Sequence, residues 1–298
     1  MVVGLSSGAL GCAPVPTFSL YGDQGPGCAD ASDIACQPFG SPAAVSGLAQ
    51  ANNVEKPTLT SDELEVFFLS YLNDGGLGNG DVWYTTRTGV DASWAAAVPV
   101  PNVNTSWREA SPAISADGNT LWLGSDRPGG LGGLDIWVSM RADAGTPWAP
   151  PVDVTELNSA ADEIPRPPGA SELVMMLSRR ASASVPYQIL AAARASLPAP
   201  WGAPASVASV DTANLDDDGY LTDDGLTLYF SSDRLSGTQD LFVTQRASGS
   251  APFAAPLPLT ALNTATYDER DPWVSADQHE IYFTSNRSGT LQIYRAVR

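Results

Sequence analysis

The chain of 298 residues is long enough for one large domain or two smaller ones, and its 43 % hydrophobic content suffices for a packed core. The 15 basic residues against 33 acidic ones leave a formal net charge of −18, which argues against nucleic acid or an anionic membrane surface as a partner, since both need clustered Lys and Arg. The 27 glycines and 24 prolines fall between short apolar runs, which favours an all-β fold with many turns.

In chain order, Met1 to Gly11 is mildly apolar, lacks the basic start of a signal peptide and is too short to span a bilayer. Ala9-Leu10-Gly11-Cys12 resembles the lipid-attachment box of bacterial lipoproteins, with Leu10 one place too close to the cysteine. Cys12 is therefore a lipidation candidate, and residues 1–36 read as the remnant of an export signal or as a linker. Cys28 and Cys36 close a short loop; with two thiols and no nearby His, a local disulfide is expected rather than zinc, which implies an oxidising compartment. The alternative is three free thiols. No transmembrane segment is expected, and an exported location follows: periplasmic, anchored at the outer membrane, or extracellular.

Residues 37–298 are a repeat array. The clearest unit runs from Glu109 to Arg141. Ser111 to Ser115 forms a strand, Asp117-Gly118 a tight turn, and Thr120 to Gly124 a second strand. A loop through Ser125-Asp126-Arg127 and Gly129, Gly130, Gly132 and Gly133 then leads to a third strand from Asp135. Anchored on Pro57, Pro112, Pro165, Gly219 and Pro272, the pattern returns every 53 to 55 residues. A fourth strand follows an aromatic residue: Trp94 to Val100, Trp148 to Leu157, Trp201 to Val210 and Phe253 to Leu262. The last unit stops at Arg298 without its fourth strand, and Phe39 to Leu48 carries that pattern instead. The expectation is an all-β, five-bladed β-propeller of four-stranded blades, closed by an N-terminal strand that completes the last blade.

At Pro112, Ser115, Asp117-Gly118, Ser125-Asp126-Arg127 and Gly132-Gly133-x-Asp135-Ile136-Trp137 the chain resembles the TolB-type, WD-repeat-like β-propeller repeat family. The third unit departs from it, with Pro167-Pro168-Gly169 in place of the Asp-Gly turn, and the first reads Ser70-Tyr71-Leu72 where Ser-Asp-Arg is expected. The resemblance implies a scaffold rather than a chemistry, a non-catalytic binding module for a protein, peptide or glycan of the cell envelope; it leaves open whether the chain is an enzyme, and a monomer is expected. The alternative is a carbohydrate-active hydrolase or lyase, since five-bladed propellers that resemble invertases and arabinanases set carboxylates around the channel.

Candidate chemistry is sparse. Repetition of the Ser-Asp-Arg loops in several blades favours a structural role for Asp126, Arg127, Asp233 and Arg234. The glycine run lacks the Gly-Lys-Ser/Thr of a phosphate loop, and His279, the single histidine, lies at a hairpin turn. No cofactor is expected, calcium being the one that Asp74, Asn79 and Asp81 would suit. Glu109, Asp162, Asp216 and Glu269 lie three residues before the anchors, with Glu55 one place off, so they are candidates for ligand or cation binding at the channel mouth. The competing reading makes them structural acids that accept backbone hydrogen bonds. Trp107 and Trp273 are the aromatics best placed to line the channel.

Overall fold

The computed structural model describes residues 37–48, 53–71, 76–235 and 237–298. The three cysteines, and with them the expected disulfide and lipidation site, lie outside the described residues, as does Asp74. Among the described residues no helix is long and apolar enough to cross a membrane.

Among the described residues, twenty strands build five antiparallel sheets of four. Blade one holds β2 (Val54–Leu59), β3 (Glu65–Ser70), β4 (Asp81–Thr86) and β5 (Val98–Pro99). Blade two holds β6 (Glu109–Ile114), β7 (Thr120–Ser125), β8 (Asp135–Met140) and β9 (Val152–Asp153). Blade three is β10 (Asp162–Pro165), β11 (Val174–Arg180), β12 (Gln188–Ala193) and β13 (Ala205–Ser206). Blade four is β14 (Asp216–Leu221), β15 (Thr227–Ser232), β16 (Asp240–Gln245) and β17 (Leu257–Pro258). Blade five is β18 (Glu269–Val274), β19 (Glu280–Ser285) and β20 (Gln292–Val297), completed by β1 (Ala43–Ala44). Ala43 and Ala44 pair with Arg295 and Tyr294, so the ring closes as the repeat pattern requires. The outer strands are two residues long, shorter than the repeat suggested. Prolines such as Pro99 and Pro258 sit in them and cannot donate to a further ladder.

The first hairpin of each blade is set locally. Ser115 Oγ bonds Asp117 at 2.6 Å, and Asp117 accepts the Asn119 N–H at 3.0 Å, leaving Gly118 at φ +74°. Thr60 and Asp62, Thr222 and Asp224, and Ser275 and Asp277 repeat the hydroxyl–carboxylate contact at 2.6 Å. An arginine at the end of the third strand then clasps the turn. Arg87, Arg141, Arg194, Arg246 and Arg298 each donate Nε to the carbonyl of the left-handed turn residue: Glu63, Gly118, Glu172, Gly225 and Gln278. Each guanidinium also lies over an aromatic ring, 4.4 Å from Trp94, 4.6 Å from Trp148, 4.3 Å from Trp201, 4.7 Å from Phe253 and 4.1 Å from Phe39. In four blades the aromatic follows the arginine by seven residues; in the fifth it comes from the other end of the chain. Between blades, rings such as Phe67, stacked on Tyr84 and edge-on to Trp148, fill the core.

The closing seam therefore rests on the β1–β20 ladder and on Phe39 beneath Arg298. Phe39→Ala is expected to lower stability by about 3–5 kcal/mol, the usual penalty for emptying a buried aromatic site. Urea unfolding of the variant measures it, and an unchanged midpoint would contradict this account of closure.

A carboxyl pair crosses the seam between blades five and one. Burial and the Glu280 carboxylate push Glu63 up to about 7 from an ordinary 4.5, against the pull of Arg87. Glu280 is held below its usual range: burial opposes this, but Arg295 outweighs it. The folded state thus keeps a proton on Glu63 that the unfolded chain has released, so this pair makes stability fall as pH rises from about 4.5 to about 7. Glu280 acts in the opposite sense and only below that window. Melting temperature measured between about pH 5 and pH 8 should fall less steeply in Glu63→Gln than in the parent chain; parallel curves would remove Glu63 from the cause.

Candidate functional site

The innermost strands β2, β6, β10, β14 and β18 approach one axis. In four of them the ladder skips a step, between Glu55 and Thr58, Ala110 and Ala113, Asp217 and Tyr220, and Arg270 and Trp273. The first residue of each skip is not glycine, yet has φ near +50°: Lys56 at 58°, Ser111 at 43°, Asp218 at 57° and Asp271 at 58°. Each such conformation costs about 1–2 kcal/mol, and each precedes Pro57, Pro112, Gly219 or Pro272. Blade three has no skip; its chain is one residue shorter here, and Arg166 follows Pro165 into the centre.

Three of these side chains meet on the axis. Lys56 Nζ lies 2.8 Å from Asp218 Oδ1 and 2.9 Å from Asp271 Oδ1, with its backbone N–H 3.1 Å from Thr284 Oγ1. Arg166, fully buried, donates to the Pro272 carbonyl at 2.6 Å and approaches Asp218 at 3.7 Å. Burial pulls the Lys56 ammonium down, but Asp218 and Asp271 outweigh it and hold its proton well above the usual lysine range. Burial and the neighbouring Asp217 carboxylate push Asp218 well up. Burial also opposes ionisation of Asp271, yet Lys56 and a hydrogen bond shared with Asp218 keep it far below the carboxylate range. Among the described residues no three His, Cys, Asp or Glu side chains are grouped to hold a metal ion; between these acids lies the ammonium.

Above this cluster a funnel of about 730 Å³ opens at the end where the innermost strands begin. Its floor includes Lys56, Ser111 and Asp218, and its walls include Arg108, Tyr187 and Asp217. At the opposite end of the axis a depression of about 30 Å³ is lined by Leu59, Ile114, Tyr220 and Trp273.

Three of the candidate acids, Glu109, Asp216 and Glu269, are held inside their own blades. Glu109 accepts from the Thr105 N–H at 3.0 Å, Thr105 Oγ1 at 2.6 Å and Arg127 at 3.0 Å. Asp216 accepts from the Thr212 N–H at 2.6 Å and from Arg234, and Glu269 from the Thr264 N–H at 2.7 Å, Ser285 Oγ at 2.8 Å and Arg287 at 3.1 Å. All three are fully buried, and burial pushes Glu109 and Glu269 up against these donors. In blade three the equivalent place belongs to Glu163, bonded to Ser159 and Arg179; the missing residue shifts Asp162 to the position of Arg108, where it meets Arg180 at 2.8 Å. Val54 takes that place in blade one, while Glu55 at the funnel rim pairs with Arg270 and Tyr71. The Arg127 and Arg234 side chains thus complete the acid pockets, while Asp126 and Asp233 accept the N–H groups of Arg108 and Leu215.

Neither tryptophan lines the funnel. Trp107 is 48 % exposed, and Trp273 packs against Tyr220 and Tyr282 near the far end. Asp81 accepts the N–H groups of Leu77 and Gly78. The repeat reading missed Lys56, Asp218 and Asp271, although the residue just before each Pro or Gly anchor is polar in four units out of five, a signal present in the sequence.

No protein-family model matches the sequence, and no curated protein matches it. Solved structures do. The chain is similar to the catalytic domain of a GH62 α-L-arabinofuranosidase from Coprinopsis cinerea, with TM-score 0.58, 11 % identity, and 87 % of this chain and 96 % of that one covered. A thermostable family-43 glycoside hydrolase matches with TM-score 0.55 and 9 % identity over 86 % and 91 % of the two chains. TolB from Acinetobacter baumannii gives TM-score 0.47 and 11 % identity over 83 % of this chain and 55 % of that one, too weak a likeness to bear on function. At such identities the matches establish the five-bladed propeller fold alone.

Removing the central ammonium strands two buried acids. Lys56→Met should lower stability by about 3–5 kcal/mol, and adding Asp218→Asn to it should recover part of that loss. A double-mutant cycle in urea gives the coupling, and strict additivity would mean that the contact is energetically idle.

Proposed function

We propose that this chain is a non-catalytic, exported binding module of the cell envelope or exterior, acting as a monomer, with a protein, peptide or glycan ligand in the axial funnel. One observation carries the reading: the acids nearest the axis are committed to Lys56 and Arg166. A glycosidase of the usual kind needs two carboxyl groups facing each other across the scissile bond, about 5–9.5 Å apart, with room for a sugar or water between them. Here Asp218 and Asp271 both contact one ammonium, and no space for a substrate lies between them. The funnel above is a concave site with charged and aromatic walls, which suits recognition. The lipid-attachment-like stretch ending at Cys12 and the TolB-type repeat resemblance support the same reading from the sequence.

The hydrolase reading keeps one point in its favour, since two acids do converge on the axis in a fold that glycoside hydrolases share. Two assays separate the readings. The full chain is incubated with nitrophenyl α-L-arabinofuranoside and nitrophenyl β-D-xyloside, and it is separately screened on glycan and peptide arrays. We expect no nitrophenol release, and array binding that Asp217→Asn weakens by about tenfold. Turnover that disappears in Asp218→Asn and Asp271→Asn would replace the binding module by an enzyme.

A further inference from the structure

Arg108 differs from the other arginines of the chain. Each of those has a carbonyl or carboxylate acceptor. The Arg108 guanidinium has none among the described residues, although Asp126 fixes its backbone N–H at 2.8 Å and the side chain forms part of the funnel wall. Three residues further along the chain, within β6, Ser111 is fully buried at φ +43°, on the funnel floor, and its hydroxyl has no hydrogen-bond partner among the described residues. Its counterparts Lys56, Asp218 and Asp271 spend their polar groups on one another. The start of β6 and the residue before it thus bring two unsatisfied donors, one of them cationic, to one cavity.

A buried hydroxyl without a partner is unfavourable, the half-buried guanidinium in the same cavity has no protein acceptor of its own among the described residues, and one oxyanion can serve both. On the opposite wall, Asp217 is nearly buried, and the one hydrogen bond its carboxylate makes among the described residues is to the Asp218 N–H at 2.8 Å. That carboxylate is an acceptor suited to ligand hydroxyls. A ligand meeting both walls carries a carboxylate at one end and hydroxyl groups at the other, and a cavity of about 730 Å³ holds two or three sugar rings. We propose that the funnel binds an acidic saccharide, a uronic-acid oligomer, with its carboxylate on Arg108 and Ser111 and its hydroxyls toward Asp217. This rests on the binding-module reading and narrows it to one ligand class.

The experiment is calorimetric titration of the full chain with digalacturonic acid, with the neutral disaccharide galactobiose, with inorganic phosphate and with an acidic dipeptide. The acidic disaccharide should bind at least about tenfold more tightly than the neutral one. Arg108→Gln should weaken it by about tenfold without moving the melting curve, because Arg108 holds nothing in the free protein, and Arg108→Lys should recover part of the affinity. Ser111→Ala should weaken it severalfold. Preference for phosphate or the dipeptide, equal binding of acidic and neutral sugars, no binding of digalacturonic acid, or indifference to Arg108→Gln would each overturn the proposal. If neutral glycans or peptides bind and acidic sugars do not, the binding-module reading stands while this narrower one fails.

Discussion

Five strands that converge on one axis leave a space too narrow for a sixth element and too wide to leave empty. Here it is filled by charge. Lys56 from blade one is clamped between Asp218 from blade four and Asp271 from blade five, while Arg166 from blade three reaches the Pro272 carbonyl of blade five. Burying ions is expensive in itself, and pairs of this kind serve specificity better than stability. The cluster ties four blades to a common centre and fixes their angular register. Blade two alone contributes an uncharged residue, Ser111, whose hydroxyl has no partner among the described residues.

Away from the axis each blade carries its own polar fastenings, while its apolar faces pack on its neighbours. The Arg–aromatic clasp joins the first hairpin to the third and fourth strands, and the Glu–Arg–Ser pocket at the other end anchors the innermost strand to the loop before the third. Both use a guanidinium because it can bond a carbonyl or carboxylate edge-on while covering an aromatic face. Nine of the 15 basic residues of an acidic chain are spent in these two ways, which ties most of the positive charge to the interior of the blades.

The architecture was legible because the repeat marks are local: the Asp117-Gly118 turn, the aromatic before the outer strand, and the displaced pattern at Phe39. The centre was not. A period-two strand reading turns alternate residues inward, whereas the skipped ladder steps rotate Lys56, Asp218 and Asp271 onto the axis through a left-handed conformation that periodicity does not encode. The same step is absent from blade three, so counting three residues back from Pro165 reaches Asp162, whereas the counterpart of Glu109 is Glu163. The clasp arginines were overlooked for a different reason. Their seven-residue spacing from the aromatic spans a loop, and it breaks in blade five, where the partners sit at opposite ends of the chain.

That last blade has a kinetic consequence. Ala44 finds Tyr294 only after about 250 intervening residues have been made, and joining distant segments carries an entropic penalty that local hairpins avoid. During synthesis on a ribosome, blades one to four can assemble in turn while the segment around Phe39 and Ala43–Ala44 waits without its sheet. The seam is therefore the late event of folding, and the contacts made there set how fast the finished ring reopens rather than how fast its blades form.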